Sequence, residues 1–442
     1  MAVEQSEEIG RVLEKVFRSK GVDLEALEGA IRSAVLAAGA RVLESLLYEI
    51  GRGRRQGGVT CECGCRMESR GVKPKEVLTI LGPVVWSRSM FRCPSCKKTR
   101  YPGDEELDIS GTSRSPGLRR MMARAGSRGP FKEGSEDLLV YAGVKVSAKD
   151  VERVAEKIGE DMERWSGRER ERVVDHCSLD APEESIPIMY VSYDGTGVPM
   201  TRSEVAGRRG KQPDGSARTR EVKLGCVFTQ SATGSEGFAM RDPESTSFVG
   251  AIESSDEFGW RMYGEALRRG LNRADKVVVI GDGARWIKTV ADTHFPDAVV
   301  IIDLYHAREH VAGLCKLLFC ADGKNEKLHR ERWWTYLDEG NVEIIIGQAR
   351  KTLGASRKNR KEVLQEIGYL EKNKEKMRYA KLRAEGLFVG SGVVEAGCKS
   401  IIGQRLKQSG MEWTVRGANS IIALRCMIKS DRMEDYWENR AA

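Results

Sequence analysis

The chain has 442 residues, of which 40% are hydrophobic and 31% are charged, and its formal net charge is +8. This composition excludes an intrinsically disordered chain and predicts a globular protein with more than one domain. The sequence has no apolar run of bilayer length and no signal-peptide layout at its acidic start, so we expect a cytoplasmic protein without a membrane partner. The mild positive charge permits a nucleic-acid partner without requiring one.

The first segment, residues 1–55, is predicted to be helical. Apolar residues recur at helical spacing in LEALEGAIRSAVLAAGARVLESLLYEIG. The basic, glycine-rich GRGRRQGG then interrupts the pattern and predicts a flexible linker.

Residues 56–110 contain five of the eleven cysteines, in CECGC and CPSC on either side of a β-like stretch. Four thiolates from two such knuckles are the ligands that tetrahedral Zn²⁺ prefers, and the arrangement resembles a zinc ribbon. In a reducing compartment a cluster of this kind favours a metal over disulfides. We predict that a structural Zn²⁺ is bound by Cys61, Cys63, Cys93 and Cys96, with Cys65 left open as a ligand. The alternative is a reduced, metal-free loop.

Residues 111–170 are predicted to be helical, with two helices joined by a short turn at AGVKV. Ser147, three residues before Asp150, predicts a capping box for the second helix. Such a pair resembles a helix-turn-helix DNA-binding unit. No cluster of basic side chains marks a recognition helix, so a plain helical hairpin is the alternative.

From residue 185 the pattern changes to strands. IPIMYVSYD, EVKLGCVFT and TSFVGAIES predict three consecutive strands, and KVVVIGDG and DAVVIIDLYH predict two more after a helix. This order predicts an α/β domain with a mixed sheet over 185–305 and 387–430. Residues 306–386, which are rich in Lys, Arg and Glu, are predicted to be a helical insertion.

Three carboxylates are the candidate catalytic residues. Asp194 and Asp282 each end a predicted strand, and Glu395 lies in the first turns of a predicted helix. Acids on the first strand, the fourth strand and a late helix match the RNase H-like arrangement. Carboxylates suit Mg²⁺ or Mn²⁺, and two such ions can activate a water or 3′-hydroxyl and stabilise the leaving oxygen of a phosphodiester. Singly, each acid has a structural alternative in a turn or at a helix N-terminus.

A rival interpretation of YDGTG and VIGDGARW is a phosphatase of the haloacid dehalogenase type. The nucleophile position of that pattern holds Ser192, and its final acid position holds Trp286. Two essential carboxylates are therefore missing, which argues against this function.

Longer blocks resemble a known family. DGTGVPM, GKQPDGSARTREVKLGCVFTQ, VVVIGDGARWI, IIDLYHARE, LFVGSGVVEAGCK and RLKQSGMEWTVRGAN together are similar to bacterial insertion-sequence transposases of the ISKra type, which are DDE enzymes related to the Mutator group. The resemblance runs from the cysteine region nearly to the C-terminus. It implies an RNase H-like domain that cleaves element ends and joins them to target DNA, with Asp194, Asp282 and Glu395 as the catalytic acids. It also implies double-stranded DNA as partner and, for synapsis, a homodimer or larger assembly.

Asp303 and His306 match the D-x-x-H signature of Mutator-like transposases. One expectation is that these residues orient DNA near the site. The alternative is that Asp303 caps a helix and His306 packs beneath the sheet. Asp303 is also the substitute if Asp282 is not the second acid.

Several basic residues near the proposed site are expected to bind phosphates. They are Arg285, Lys399, Arg405, Lys407 and Arg416. Trp413 is expected either to stack on a base or to pack in the core, and Trp333 and Trp334 pose the same choice.

The leading hypothesis is therefore a DNA transposase. Two alternatives stay open: a domesticated regulator that binds DNA without cutting it, and an RNase H-like nuclease that cuts without strand transfer.

Overall fold

The structure is a computed structural model that describes residues 23–49, 58–175, 185–210, 212–234, 237–319, 323–353 and 359–440. These residues form two compact units, one up to Ile158 and one from Gly159 to Arg440. Within the predicted helical segment 1–55, helix α1 (Leu24–Glu49) forms, and the remainder lies outside the described residues, as does most of the GRGRRQGG linker. Among the described residues, no helix combines the length and apolarity that a membrane crossing needs.

The first unit contains a four-stranded antiparallel sheet in chain order. Its strands are β1 (Val59–Thr60), β2 (Arg66–Thr79), β3 (Gly82–Arg92) and β4 (Thr99–Arg100), followed by the short helix α2 (Pro102–Glu106). The buried carboxylate of Asp104 in α2 accepts hydrogen bonds from Lys75, Trp86 and Arg88 of the long hairpin, at 2.9, 3.2 and 3.0 Å. These bonds tie the helix to the sheet and compensate the burial of the charge.

Three helices follow: α3 (Pro116–Arg128), α4 (Phe131–Ala142) and α5 (Ala148–Asp175). The predicted turn at AGVKV is confirmed, with Gly143 in the left-handed region at φ 70°. Ser147 Oγ accepts the N–H of Asp150 at 3.1 Å, but the Asp150 carboxylate pairs with Arg114 at 2.9 Å. Only half of the predicted capping box is therefore present.

The second unit is built on a five-stranded mixed sheet, as predicted. The strands of this sheet are β5 (Ile186–Pro199), β6 (Thr219–Gln230), β9 (Ser247–Ala251), β10 (Ala274–Gly281) and β11 (Val299–Ile302). A separate two-stranded ribbon is formed by β7 (Ala232–Thr233) and β8 (Ala239–Met240). The sheet order is β11-β10-β5-β6-β9; β6 is antiparallel to β5 and β9, while β10 and β11 run parallel to β5.

The helices that accompany this sheet are α6 (Arg202–Val205), α7 (Ser255–Arg268) and α8 (Arg285–His294). On one face, the alternate β5 residues Met189, Val191 and Tyr193 pack against Phe258 of α7 and Ile287 of α8. This period of two is what places one row of side chains in the core.

A run of helices comes next: α9 (Leu304–Phe319), α10 (Gly323–Asp338), α11 (Val342–Leu353), α12 (Arg360–Asn373) and α13 (Tyr379–Ala384). Trp333 of α10 is fully buried and donates to Gln348 at 2.7 Å. Trp334 donates to the carbonyl of Arg308 at 3.0 Å. Both tryptophans thus pack among these helices.

The chain returns to the sheet through α14 (Gly392–Gly397), a π-helical turn (Cys398–Gly403) and α15 (Gln404–Leu406). It then ends in α16 (Val415–Lys429) and α17 (Met433–Arg440).

Candidate functional site

The strand register brings three aspartates to one level of the sheet. Ser192 of β5 pairs with Ile280 of β10, so Asp194 and Asp282, each two residues further along, lie level with one another. Gly281 of β10 pairs with Ile302 of β11, so Asp282 and Asp303, the next residue of each chain segment, also lie level with one another. Because the three strands are parallel, all three aspartates lie towards their carboxyl ends, where sites of α/β sheets form.

The predicted end of the first strand at Asp194 is wrong. β5 continues through DGTGVP and stays paired with β6, from Asp194 opposite Leu224 to Pro199 opposite Thr219. What ends at this level is the pairing of β5 with β10. The glycines therefore lie in an extended hairpin rather than in a turn.

Glu395 comes from α14, in the first turns of a helix as predicted. The helix lies close to the sheet, because a Cβ on Gly397 would stand only 2.6 Å from Cε1 of Phe248. Ser391 precedes the helix, and its hydroxyl donates to Glu395 Oε1 at 3.3 Å.

Asp194, Asp282, Asp303 and Glu395 line one cavity of about 580 Å³. Other side chains in its wall are those of Thr196, Tyr305, His306, Cys398, Lys399 and Lys407. Burial raises the pKa of Asp194, and the negative charges of Asp282 and Glu395 raise it further against the opposing hydrogen bond from Gly195. The carboxylates thus share one cavity, in which the half-buried Asp194 has a raised pKa.

The donor set of this cavity fits Mg²⁺ or Mn²⁺, since carboxylate oxygens are the ligands of hard cations. Asp194 and Asp282 each accept a backbone N–H on Oδ1, from Gly195 and Ala284, both at 2.7 Å. The carboxylate oxygens do not close into a group within 4.8 Å of one another; among the described residues only four cysteines do so.

Asp303 is 2% exposed, and its carboxylate accepts two backbone hydrogen bonds, from His306 at 2.7 Å and from Ser391. Its own N–H donates to the carbonyl of Gly281 at 2.8 Å. Asp303 therefore caps α9 and connects β10 to the start of the helix that carries Glu395. Helix α9 begins at Leu304, within the segment DAVVIIDLYH that was predicted to be a strand. His306 does not pack beneath the sheet, since it lines the cavity.

Among the predicted phosphate-binding residues, Lys399 and Lys407 line the cavity. Lys399 lies 3.8 Å from Glu395, and Lys407 is hydrogen-bonded to the Thr196 hydroxyl. Arg285 is exposed at the start of α8 and is not part of the cavity wall. The exposed Arg416 pairs with Glu160.

Arg405 and Trp413 are enclosed and are not part of the cavity wall, which for Trp413 corresponds to the core-packing alternative. Arg405 is fully buried, with its guanidinium 4.8 Å from the Trp413 ring, and Trp413 is 6% exposed. The indole N–H donates to the carbonyl of Leu406 at 3.1 Å. A guanidinium and a ring at this distance form a buried cation–π pair.

Tyr369 is a site residue that the sequence did not reveal. It comes from α12, and its hydroxyl donates to the backbone carbonyl of Asp282 at 2.8 Å. Its ring stacks on His310 at 3.7 Å, and His310 is hydrogen-bonded to Glu366 at 2.6 Å. No local pattern signals a contact across 87 residues of chain.

A second candidate site lies in the first unit. The sulfur atoms of Cys61, Cys63, Cys93 and Cys96 all lie within 4.8 Å of one another, with Cys61–Cys96 at 3.4 Å and Cys63–Cys93 at 3.5 Å. Tetrahedral zinc–thiolate bonds of ≈ 2.3 Å require sulfurs about 3.8 Å apart, so this group could bind a structural metal such as zinc. The N–H of Cys65 lowers the pKa of Cys63 to about 6, which favours the thiolate. Cys65 itself stays outside the group.

Comparison with known proteins places the second unit near one family. Residues 250–440 match the family described as an uncharacterised protein family, UPF0236. The chain is 21% identical, over 99% of its length, to a UPF0236 protein of Caldanaerobacter subterraneus subsp. tengcongensis, of which it covers 84%. It is also 21% identical, over 83% of its length, to a UPF0236 protein in the vanSb 3′ region of Streptococcus gallolyticus, of which it covers 75%.

Among solved structures, the Drosophila P element transposase strand transfer complex aligns with 77% of this chain and 85% of its own, at 11% identity and a TM-score of 0.24. A score this low assigns no fold. The family description and the relatives' names state no activity. The matched region contains Asp282 and Glu395 but not Asp194.

Proposed function

We propose that the protein is a DDE transposase that cleaves insertion-sequence ends and joins their 3′-hydroxyls to target DNA. The observation that carries the proposal is the cavity lined by Asp194, Asp282 and Glu395. The resemblance of the surrounding sequence blocks to ISKra-type transposases supports the same function.

The topology of the second unit supports an RNase H-like catalytic domain over residues 185–305 and 387–430. Three antiparallel strands β5, β6 and β9 are followed by β10 and β11 on the other side of β5, both parallel to it. The first and fourth of these five strands carry the two aspartates, and a late helix carries the glutamate. The helices between β11 and α14 correspond to the proposed insertion, 306–386.

Two Mg²⁺ or Mn²⁺ ions held by the three acids would supply Lewis-acid activation of the nucleophile and stabilisation of the leaving oxygen. The protein's own contribution is to hold the carboxylates. The N–H groups of Gly195 and Ala284 fix the two aspartates, and α14 fixes the glutamate. Lys399 and Lys407 add positive charge at the wall, where a phosphate backbone would pass.

The name of the Caldanaerobacter relative joins eleven locus designations from one strain. A gene repeated many times in one genome is what a transposing element produces. This repetition supports a mobile-element function more than that of a single-copy regulator. We further propose that the enzyme acts in the cytoplasm on double-stranded DNA, as a homodimer or larger assembly that holds two ends together.

Intact and pre-nicked end DNA from the two flanks of the coding sequence, each incubated with the purified protein and Mn²⁺, test cleavage and joining respectively. We expect strand-transfer products with the wild-type protein and none with Asp194→Asn. Cleavage without joining would identify a nuclease, and binding without cleavage would identify a regulator. DNA left uncut and unbound would contradict all three functions.

A further inference from the structure

A second groove adjoins the carboxylate cavity. It has a volume of about 950 Å³ and lies between residues 199–218 and the turn 407–412. Lys407 lines both the groove and the cavity. The groove and the cavity therefore share the side chain of Lys407 in their walls.

One wall of the groove is the hairpin that connects β5 to β6. Its two arms are hydrogen-bonded from Met200 N–H to the Arg218 carbonyl at 3.0 Å, and from Ala217 N–H to the Arg208 carbonyl at 3.1 Å. The hairpin is thus a paired ribbon rather than a loose loop.

The other wall is bonded to that ribbon. Thr201 N–H donates to the carbonyl of Trp413 at 2.9 Å, and Trp413 N–H donates to the carbonyl of Pro199 at 3.2 Å. The buried Arg405–Trp413 pair anchors this wall. The groove is therefore a feature of the fold.

Cations dominate the groove. Arg202, Arg208 and Arg218 are exposed in its lining, together with Lys407. The side chains of Arg202 and Arg208 make no ion pair with any residue that the structure describes. Unpaired guanidinium groups are suited to bidentate binding of phosphate.

Two acidic residues also line the groove, Asp214 and Glu412. The Asp214 carboxylate accepts the N–H and the hydroxyl of Ser216 at 2.9 and 2.7 Å, so it is engaged within its own turn. Four cations against two acids leave a net positive groove.

We propose that this groove binds the sugar–phosphate backbone of the DNA strand that enters the carboxylate cavity. The inference rests on the proposed function and adds the path of the substrate. Phosphate contacts carry no base information, so a groove of this kind accepts many sequences, as joining to varied target DNA requires.

Binding is tested in the Asp194→Asn background without added divalent cation, so that no cleavage is needed. The probes are a labelled 30-base-pair DNA duplex of arbitrary sequence and one of its single strands. Binding of each probe is measured by fluorescence anisotropy over a series of salt concentrations. The variants are Arg202→Gln, Arg208→Gln and Arg218→Gln, singly and together. The control is Lys429→Gln, which removes an exposed cation at the far end of α16, about 20 Å along the helix from Val415.

Each arginine substitution is expected to reduce the magnitude of the slope of log association constant against log salt concentration by about 0.9. It should also weaken binding of the DNA duplex on the order of tenfold at 0.1 M salt, regardless of the DNA sequence. Lys429→Gln should change neither. A triple variant that binds both DNA probes like the control would overturn the inference. Groove-dependent binding by a protein that never cuts DNA would instead contradict the proposed function and leave the groove assigned.

Discussion

The cysteine group and the carboxylate cavity are built in opposite ways. The cysteines come from two turns no more than 35 residues apart, and their sulfurs already lie together. The carboxylates extend from position 194 to position 395 and meet only through parallel strand register and a late helix. A local site depends on its own turns, whereas a distributed site depends on the fold of the whole unit.

The chemistry of the ligands reinforces this difference. Thiols are neutral until a metal or a hydrogen bond stabilises the thiolate, so they can gather without repulsion. Ionised carboxylates repel one another, and the pKa of Asp194 is raised first by burial and then, to a smaller extent, by the neighbouring acids. The two sites should therefore respond differently to the loss of a ligand.

The largest expected effect is at the cysteine group. Cys93→Ser should abolish metal binding and destabilise residues 58–110 by most of the metal-binding free energy, about 10 kcal/mol or more, because a structural metal supplies folding energy. Zinc content by elemental mass spectrometry and thermal unfolding measure both losses.

Cys65→Ser is the matched control for that experiment. It removes a thiol from the same knuckle but from outside the four-cysteine group, so zinc content should stay at one ion per chain. Zinc lost from Cys65→Ser and kept by Cys93→Ser would reverse the ligand assignment.

At the carboxylate cavity, removing a ligand should have effects of opposite sign. Under the proposed function Asp194 is a metal ligand, so Asp194→Asn should reduce DNA cleavage by about a thousandfold, or about 4 kcal/mol. Without divalent cation it should raise the free energy of unfolding by on the order of 1 kcal/mol, since one of three repelling charges is removed. The amide oxygen can still accept the Gly195 N–H.

Asp297→Asn provides the comparison, because it removes an exposed carboxylate from outside the cavity. It should alter neither cleavage nor stability. An Asp194→Asn protein that is less stable than the wild type without cation would mean that the acids do not repel one another.

Features carried by local pattern were predictable from the sequence. The alternating strands gave the mixed sheet, and the two C-x-C and C-x-x-C turns gave the candidate zinc ligands. The candidate acids were singled out because each lies beside a recognisable apolar strand or a glycine-rich helix start.

Features carried by tertiary contacts were not predictable. β5 was given too early an end because its glycines suggest a turn, whereas pairing with β6 holds them extended. Arg405 was expected to bind phosphate and Trp413 either to stack on a base or to pack in the core, and only the tertiary packing shows both enclosed. The contact of Tyr369 with Asp282 joins segments that share no local signal.

An intermediate effect is expected at Asp303, where a structural role in the cavity can be distinguished from a role in metal binding. Asp303→Asn keeps one acceptor but sets an amide N–H₂ against a backbone N–H, so a buried donor loses its bond. We expect a cost of about 2 kcal/mol in the free energy of unfolding, with Mn²⁺ affinity reduced less than in Asp282→Asn. Denaturant unfolding and Mn²⁺ titration by electron paramagnetic resonance measure the two quantities. Loss of Mn²⁺ binding without loss of stability would instead make Asp303 the second acid.

The smallest effect is expected at Tyr369, which connects the helical insertion to the site. Tyr369→Phe keeps the ring on His310 and removes only the hydroxyl that donates to the Asp282 carbonyl. The lost bond is worth about 1 kcal/mol, so cleavage should slow by up to about tenfold. The control is Tyr190→Phe, which removes a buried hydroxyl from β5, the strand that carries Asp194. That hydroxyl donates to the side chain of Gln230 and not to the backbone of a cavity acid. This variant should lower the free energy of unfolding without a matching loss of cleavage rate. Equal rate losses in the two variants would show that the insertion stabilises the sheet without positioning Asp282.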